Sequence, residues 1–405
     1  MQETLFTHLA SPASSDSNTG ELQGLSIAVQ PNMSVCGWPT TAGSRALEGF
    51  TAVYDATAVE RLKQAGANVK GSIRMSELGF GLAGDTGAEV LSSGRADCVL
   101  MTDTMGEARV SACLAGAFGF KHSYGLVSRF GLIGLVPSME CYGILAKNLS
   151  DIAGVISALA GSDPRDSSMP EFGAGFEMPN FNRGFDTDVS VATCGVIKEC
   201  FDMLDKAESR AFDAAVSRLA SQGLRIQEVR LKDFDLARTV HNVIGAVEAS
   251  SSAGKYDGVR YGHRAKTAKN WNEMYMNTRG ESFGVLVKSY LFQGGYFQYE
   301  NYDAFVDAAR IRNRILARTE TVLEDFDVLA LPTRRAAPDP FNASAINTVY
   351  DIFSWTLLAN VTGHPAMSLP GLVRCKDTDL GLQLVGPRFQ DARLLAAAAQ
   401  CMESE

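Results

Sequence analysis

The pentad Asp103-Thr104-Met105-Gly106-Glu107, followed by Arg109, places two carboxyl groups and a guanidinium in one short stretch. Two acids in different environments can divide acid and base work between them. The same groups can instead form an internal ion pair, Glu107 with Arg109, that fills a pocket and does no chemistry. Ser92 and Ser93 offer hydroxyl nucleophiles, although serine pairs commonly cap helices or make turns. Cys98 and Cys113 flank the pentad. A cysteine reacts as its thiolate, and a buried one with no base beside it is a packing group. Neither has a histidine close in sequence. Lys121 and His122 fall in the glycine-punctuated run Leu114 to Tyr124, where support of the adjacent turn is expected.

The elements that must hold these residues alternate as strand and helix. Leu25 to Val29 reads as a short buried strand closed by Pro31. Thr57 to Ala65 reads as a helix with Ala58, Leu62 and Ala65 on one face and Gly66 as its stop. Val69 to Ile73 then fits a strand. The pattern recurs with an amphipathic Glu208 to Gln222, a terminating Gly223 and an alternating Arg225 to Leu231. Asp303 to Glu324 is a long helix, followed by the strand Val328 to Leu331 and Pro332. Gly381 to Val385 and Ala392 to Cys401 close the chain as strand and helix. The alternation predicts an α/β fold, one large mixed β-sheet covered by helices on both faces. Residues 1–20 are expected to be an N-terminal arm, ordered only where it packs, and 21–405 a single domain. Its Ser-, Pro-, Asn- and Gly-rich stretch 161–184 is a surface excursion rather than a boundary.

Composition narrows the function. Over 405 residues, 46% hydrophobic and 20% charged residues suffice for a substantial core. A net charge of -9 gives no basic footprint, so direct nucleic-acid binding is not expected. No apolar run reaches membrane-spanning length, and residues 1–20 lack the basic start and apolar core of a signal peptide. Eight scattered cysteines without a Cys-x-x-Cys pair predict reduced thiols in a cytoplasmic protein. Neither a metal nor a cofactor is expected: His8, His122, His241, His263 and His364 form no ligand cluster.

Several colinear stretches resemble one family. They include Tyr54 to Val59, Tyr124 to Gly131, Asp163 to Ser167 and Gly195 to Glu199. Glu248 to Ser251, Lys255-Tyr256-Asp257-Gly258-Val259-Arg260-Tyr261-Gly262-His263-Arg264, Thr278 to Gly284 and Gly381 to Gly386 extend the match. Together they resemble the amidase signature family, most of all the A subunit of glutamyl-tRNA(Gln) amidotransferase. The resemblance implies an amidase-signature fold and cleavage of C–N amide bonds. It also implies a lysine that relays protons through a serine held on a Gly/Ser-rich loop to a second, nucleophilic serine.

This chain departs from that pattern at every chemical position. Gln30 stands at the lysine's place, and a carboxamide neither takes nor gives a proton near neutral pH. The interval from Phe80 to Asp103 is too short for the serine loop and holds only Ser92-Ser93-Gly94. Glu107 occupies the nucleophile's place, and Met105 that of a glycine in the oxyanion loop. Tyr275, Arg312 and Asp351 fall near positions where the family's A subunit resembles a glutamine pocket. Arg312 lies on a long helix that also carries solvated arginines.

The expectation is a catalytically lapsed scaffold, in a homo- or hetero-oligomer with a protein partner, or a binder of a small amide or amino acid. The ligand-binding candidates are Asp103, Thr104, Glu107, Arg109, Tyr275, Arg312 and Asp351. Two alternatives stay open: an active amidohydrolase or amidotransferase subunit using Ser92, Ser93 or Cys98, and a changed reaction with Glu107 as general base.

Overall fold

The structure, a computed structural model, describes residues 5–11, 20–172, 176–181, 191–336, 338–375 and 378–402. Its strands are β1 (Phe6–Leu9), β2 (Ser26–Val29), β3 (Asn68–Ile73), β4 (Cys98–Asp103), β5 (Phe118–Lys121), β6 (Cys141–Ala146), β7 (Thr193–Ile197), β8 (Arg225–Val229), β9 (Val328–Pro332), β10 (Ala366–Leu369), β11 (Arg374–Cys375), β12 (Thr378–Asp379) and β13 (Leu382–Val385). Eleven of them form one sheet in the order β1-β3-β2-β4-β6-β5-β10-β13-β9-β7-β8, and β11 pairs with β12 alone. The sheet is mixed: β2 runs parallel to β3 and β4, while β4–β6, β5–β6 and β10–β13 are antiparallel.

Thirteen α-helices are described. They are α1 (Thr57–Gln64), α2 (Gly87–Ser92), α3 (Glu107–Leu114), α4 (Leu149–Leu159), α5 (Lys198–Phe201), α6 (Lys206–Ser221), α7 (Leu236–Ser252), α8 (Trp271–Ser282), α9 (Val285–Tyr299), α10 (Tyr302–Asp325), α11 (Ile346–Phe353), α12 (Leu357–Thr362) and α13 (Asp391–Met402). Two apolar clusters lie on the two faces of the sheet. Ala28, Val99 and Met101 belong to one, and Ile27, Val29, Cys98 and Leu100 to the other. Strands buried on both faces read as continuous apolar runs, and β4 is buried at every residue.

Local rules account for the boundaries. Gly66, at φ 88, ends α1 in the left-handed region where a side chain is unfavourable. Asp205 caps α6 in a capping box with Glu208. Phe6–Leu9 pairs with β3 as an edge strand, whereas residues 12–19 of the expected arm lie outside the described residues. In the 161–184 excursion, residues 161–172 carry no helix or strand. Residues 173–175 and 182–184 lie outside the description. The excursion is tied down where Asp163 accepts hydrogen bonds from Thr57, Ser128 and Arg165.

Candidate functional site

The site is built where β4 ends at Asp103 and α3 begins at Glu107. Between them the backbone turns through Gly106 at φ 121, and a Cβ there would sit 2.1 Å from Thr356 Oγ1. Only glycine fits that turn. Its consequence is that the N–H groups of Thr104, Met105 and Gly106 converge on one point. They donate to Glu107 Oε2 at 2.7, 2.7 and 3.1 Å. The N–H of Gly81 reaches Oε1 at 3.3 Å. Converging backbone donors at a helix N-terminus make an anion-binding nest, the arrangement that stabilises an oxyanion in acyl transfer. Here the nest is filled from within, by a side chain 1% exposed.

Burial, and after it the charge of Asp103, pushes the Glu107 pKa up to about 8, against the pull of the backbone N–H groups. Oε2 remains the acceptor whether or not Oε1 carries a proton, so the nest stays occupied in both charge states.

Aromatic side chains fill the space beside the nest. His241 Nε2 lies 2.9 Å from the Thr104 carbonyl, and Nδ1 lies 2.9 Å from the Tyr350 hydroxyl. The carbonyl can only accept, so Nε2 carries the proton and Nδ1 accepts from Tyr350. Tyr290 continues the chain at 3.0 Å, and Phe80 stacks on Tyr290 with centroids 4.4 Å apart. Burial lowers the His241 pKa to about 4, which keeps the imidazole neutral.

Gln30 is equally enclosed. Its Oε1 accepts from the Thr102 N–H at 2.8 Å and the Thr102 hydroxyl at 2.9 Å, and its Nε2 donates to Asp85 at 2.7 Å. Asp85 also accepts from the Gly87 N–H at 2.7 Å, and burial raises its pKa to about 6. Gln30 therefore links β2, β4 and the start of α2 as a satisfied structural amide.

Arg109 does not pair with Glu107, which corrects the ion pair expected from the sequence. The guanidinium grips Asp103 in two bonds, Nε to Oδ2 at 3.0 Å and Nη2 to Oδ1 at 2.8 Å, with both side chains fully buried. It also donates to the Thr356 carbonyl, Gln383 and Asn360. Asn360 returns two bonds to Asp103. Burial would raise the Asp103 pKa, but the Arg109 charge outweighs it and holds the carboxylate below its ordinary range. Asp103 spends its charge on Arg109, which leaves Glu107 to the backbone.

The remaining candidates are dispersed. Ser92 and Ser93 are exposed at the end of α2, donating to the Glu89 carbonyl at 3.3 and 2.6 Å. Cys98 starts β4 and Cys113 lies on α3; burial pushes both thiols well above the ordinary range. Tyr275 donates to the Gly254 carbonyl at 3.1 Å and lines a groove between α8 and α9. Arg312 binds the Val361 carbonyl and Ser138 beside a different cleft. Asp351 is exposed and pairs with Arg238. These three are not assembled into one pocket.

Gly81, His241, Tyr290, Tyr350 and Thr356 complete the site but escaped sequence reasoning. They come from remote segments and share no spacing with the pentad. Among the described residues no group of three or more His, Cys, Asp or Glu could hold a metal ion. No helix among them is long and apolar enough to cross a membrane.

The amidase pattern matches residues 7–88 and 86–395. The chain belongs to the amidase family. It is 33% identical to the A subunit of glutamyl-tRNA(Gln) amidotransferase from Sulfurisphaera tokodaii, over 94% of this chain and 84% of that one. To the protein of the same name from Natronomonas pharaonis it is 35% identical, over 94% and 95%. The crystal structure of the corresponding Thermotoga maritima protein superposes with a TM-score of 0.78 at 24% identity, covering 97% of this chain and 86% of that one, a likeness of fold.

Proposed function

We propose that this chain is a non-hydrolysing member of the amidase family that serves as a scaffold or partner subunit. The observation that carries the reading is Glu107 Oε2 at the point where three backbone N–H groups converge. Amide hydrolysis needs a nucleophile, a base and free oxyanion donors together. Here the donors are taken, and the residue at the base's position is an amide bonded to Thr102 and Asp85. The alternative nucleophiles give the reading further support. Ser92 and Ser93 are spent on a helix end, and the Cys98 thiol is held protonated by burial. A role for Glu107 as general base meets the same obstacle, since both its oxygens are engaged and buried. The relatives named above are subunits, and a place in an assembly, working in the cytoplasm, is the corresponding role for this chain.

A second reading, binding of a small amide or amino acid, is favoured by the cleft of about 360 Å³ beside Arg312. Arg312, Arg388 and Glu248 line it with opposite charges, and Arg388 Nε is buried without a hydrogen-bond partner.

The test is to incubate the pure protein with glutamine, asparagine and aryl amides and measure ammonia or amine release. The expected rate is that of the buffer. Turnover abolished by Ser93→Ala or Cys98→Ala overturns the proposal in favour of a rearranged nucleophile. Turnover lost with Glu107→Gln alone favours a changed reaction.

A further inference from the structure

More than half of the exposed large apolar side chains among the described residues fall between Trp271 and Tyr302. Phe292 and Val285 are each 78% exposed and Met276 71%. The fifteen residues of α9 include one charge, Lys288. α9 packs Val287, Tyr290, Leu291 and Gly294 inward, with Leu286 and Phe297 partly buried against the core, and leaves Val285, Phe292, Tyr296 and Tyr299 exposed. Its outer side faces a groove of about 400 Å³ shared with α8, walled by Tyr275, Met276, Phe283, Leu291 and Phe292.

Two glycines line the groove without an internal reason. A Cβ on Gly280 or Gly295 would meet nothing within 4 Å, whereas one on Gly294 would strike the Ala246 carbonyl. Glycine inside a helix costs roughly 0.5–1 kcal/mol against alanine. Backbone left bare on both walls admits close approach by another chain.

Both charged side chains that line the groove are cations, Arg279 and Lys288, and Lys255, Arg264, Lys266 and Lys269 precede α8 in the sequence. None of these makes an ion pair among the described residues. The carboxyl groups of the same stretch are engaged locally: Asp257 with the Val259 N–H, Glu273 with the Lys269 N–H and Glu281 with His263. On a chain of net charge -9 this is a local reversal of sign. A second copy docked by the same face would set cation against cation.

We infer that the α8–α9 groove docks a segment of a different protein, one carrying large apolar side chains among aspartates and glutamates. The apolar anchors enter the groove beside Gly280 and Gly295, and the acids meet Arg279 and Lys288. This rests on the proposed scaffold role and names where the partner binds.

The experiment purifies the tagged full-length protein from its own cell, treats it with a carbodiimide that joins carboxylates to lysines, and maps the cross-linked peptides. The expected result is one partner in fixed ratio, joined through an acidic, apolar-rich segment to Lys288, the lysine that lines the groove. Phe292→Asp or Met276→Asp, at exposed positions, lowers its recovery at least tenfold with an unchanged melting temperature. A solitary monomer, a dimer of this chain, bound RNA, or a partner cross-linked elsewhere and indifferent to both variants overturns the inference. Amide turnover in the same preparation would refute the non-hydrolysing reading while leaving the docking result to stand or fall alone.

Discussion

At the residue scale, the two acids of the pentad part company. Asp103 is neutralised by Arg109 in a buried pair with every neighbour satisfied. Removing one partner of such a pair typically costs about 3–5 kcal/mol. Arg109→Ala is therefore expected to lower the unfolding free energy by roughly that amount in urea titrations, and a loss below about 1 kcal/mol would show the pair to be dispensable. Glu107 behaves oppositely. Its folded pKa, about 8, lies above the 4.5 of the free side chain, so the native state holds its proton more tightly. Its contribution is complete below 4.5 and is lost as pH climbs to 8. Asp85 adds the same sign between 3.8 and about 6. Urea unfolding at pH 5, 6.5 and 8 should show a decline for the native chain that Glu107→Gln flattens; parallel curves would contradict the assignment. The resemblance read from the sequence led us to expect Gln30, Met105 and Glu107 as departures from the family pattern. It could not display where Glu107 turns, because adjacency in sequence favoured Arg109 while the choice was made by three backbone N–H vectors and by Asn360 and Gln383 from far along the chain.

At the scale of elements, the strand–turn–helix from β4 to α3 is the device that aims those vectors. Gly106 is its hinge, and Gly106→Ala adds a Cβ 2.1 Å from Thr356 Oγ1 in a backbone region that disfavours side chains. Strain of this kind costs on the order of 1–3 kcal/mol; the variant should unfold at lower urea and free the Thr104–Gly106 amides to exchange hydrogen faster. Asp205→Ala, removing the capping box of α6, should cost about 1 kcal/mol without touching those amides. Helices with clear stops were legible: α1 ends before Gly66 and α6 before Gly223 as their sequences suggest. The central strands β4, β5, β6 and β10 were not, because burial on both faces removes the alternation that marks a strand. The boundaries of β2 and β8 fall a residue or two inside the expected ones, as the ladder rather than the apolar run decides where pairing stops.

At the scale of the whole molecule, the eleven-stranded sheet brings segments from Phe6 to Val385 into one frame, and the amidase fold follows from alternation and colinear motifs alike. The fold survives with its nest filled because the filling group satisfies the same donors that a reacting carbonyl would. What was not legible at this scale is the groove between α8 and α9: those helices carry no strong periodic pattern, and their exposed apolar residues are recognisable only once the inner face is seen. Whether Glu107 Oε2 occupies the nest can be read from a carbon-13 NMR titration of the Glu107 carboxyl followed together with the Thr104, Met105 and Gly106 amide resonances. The expected midpoint is near 8, with all three amides shifting at that same pH. A midpoint near the free value of 4.5, with the three amides unmoved, would place the carboxyl outside the nest and contradict the assignment.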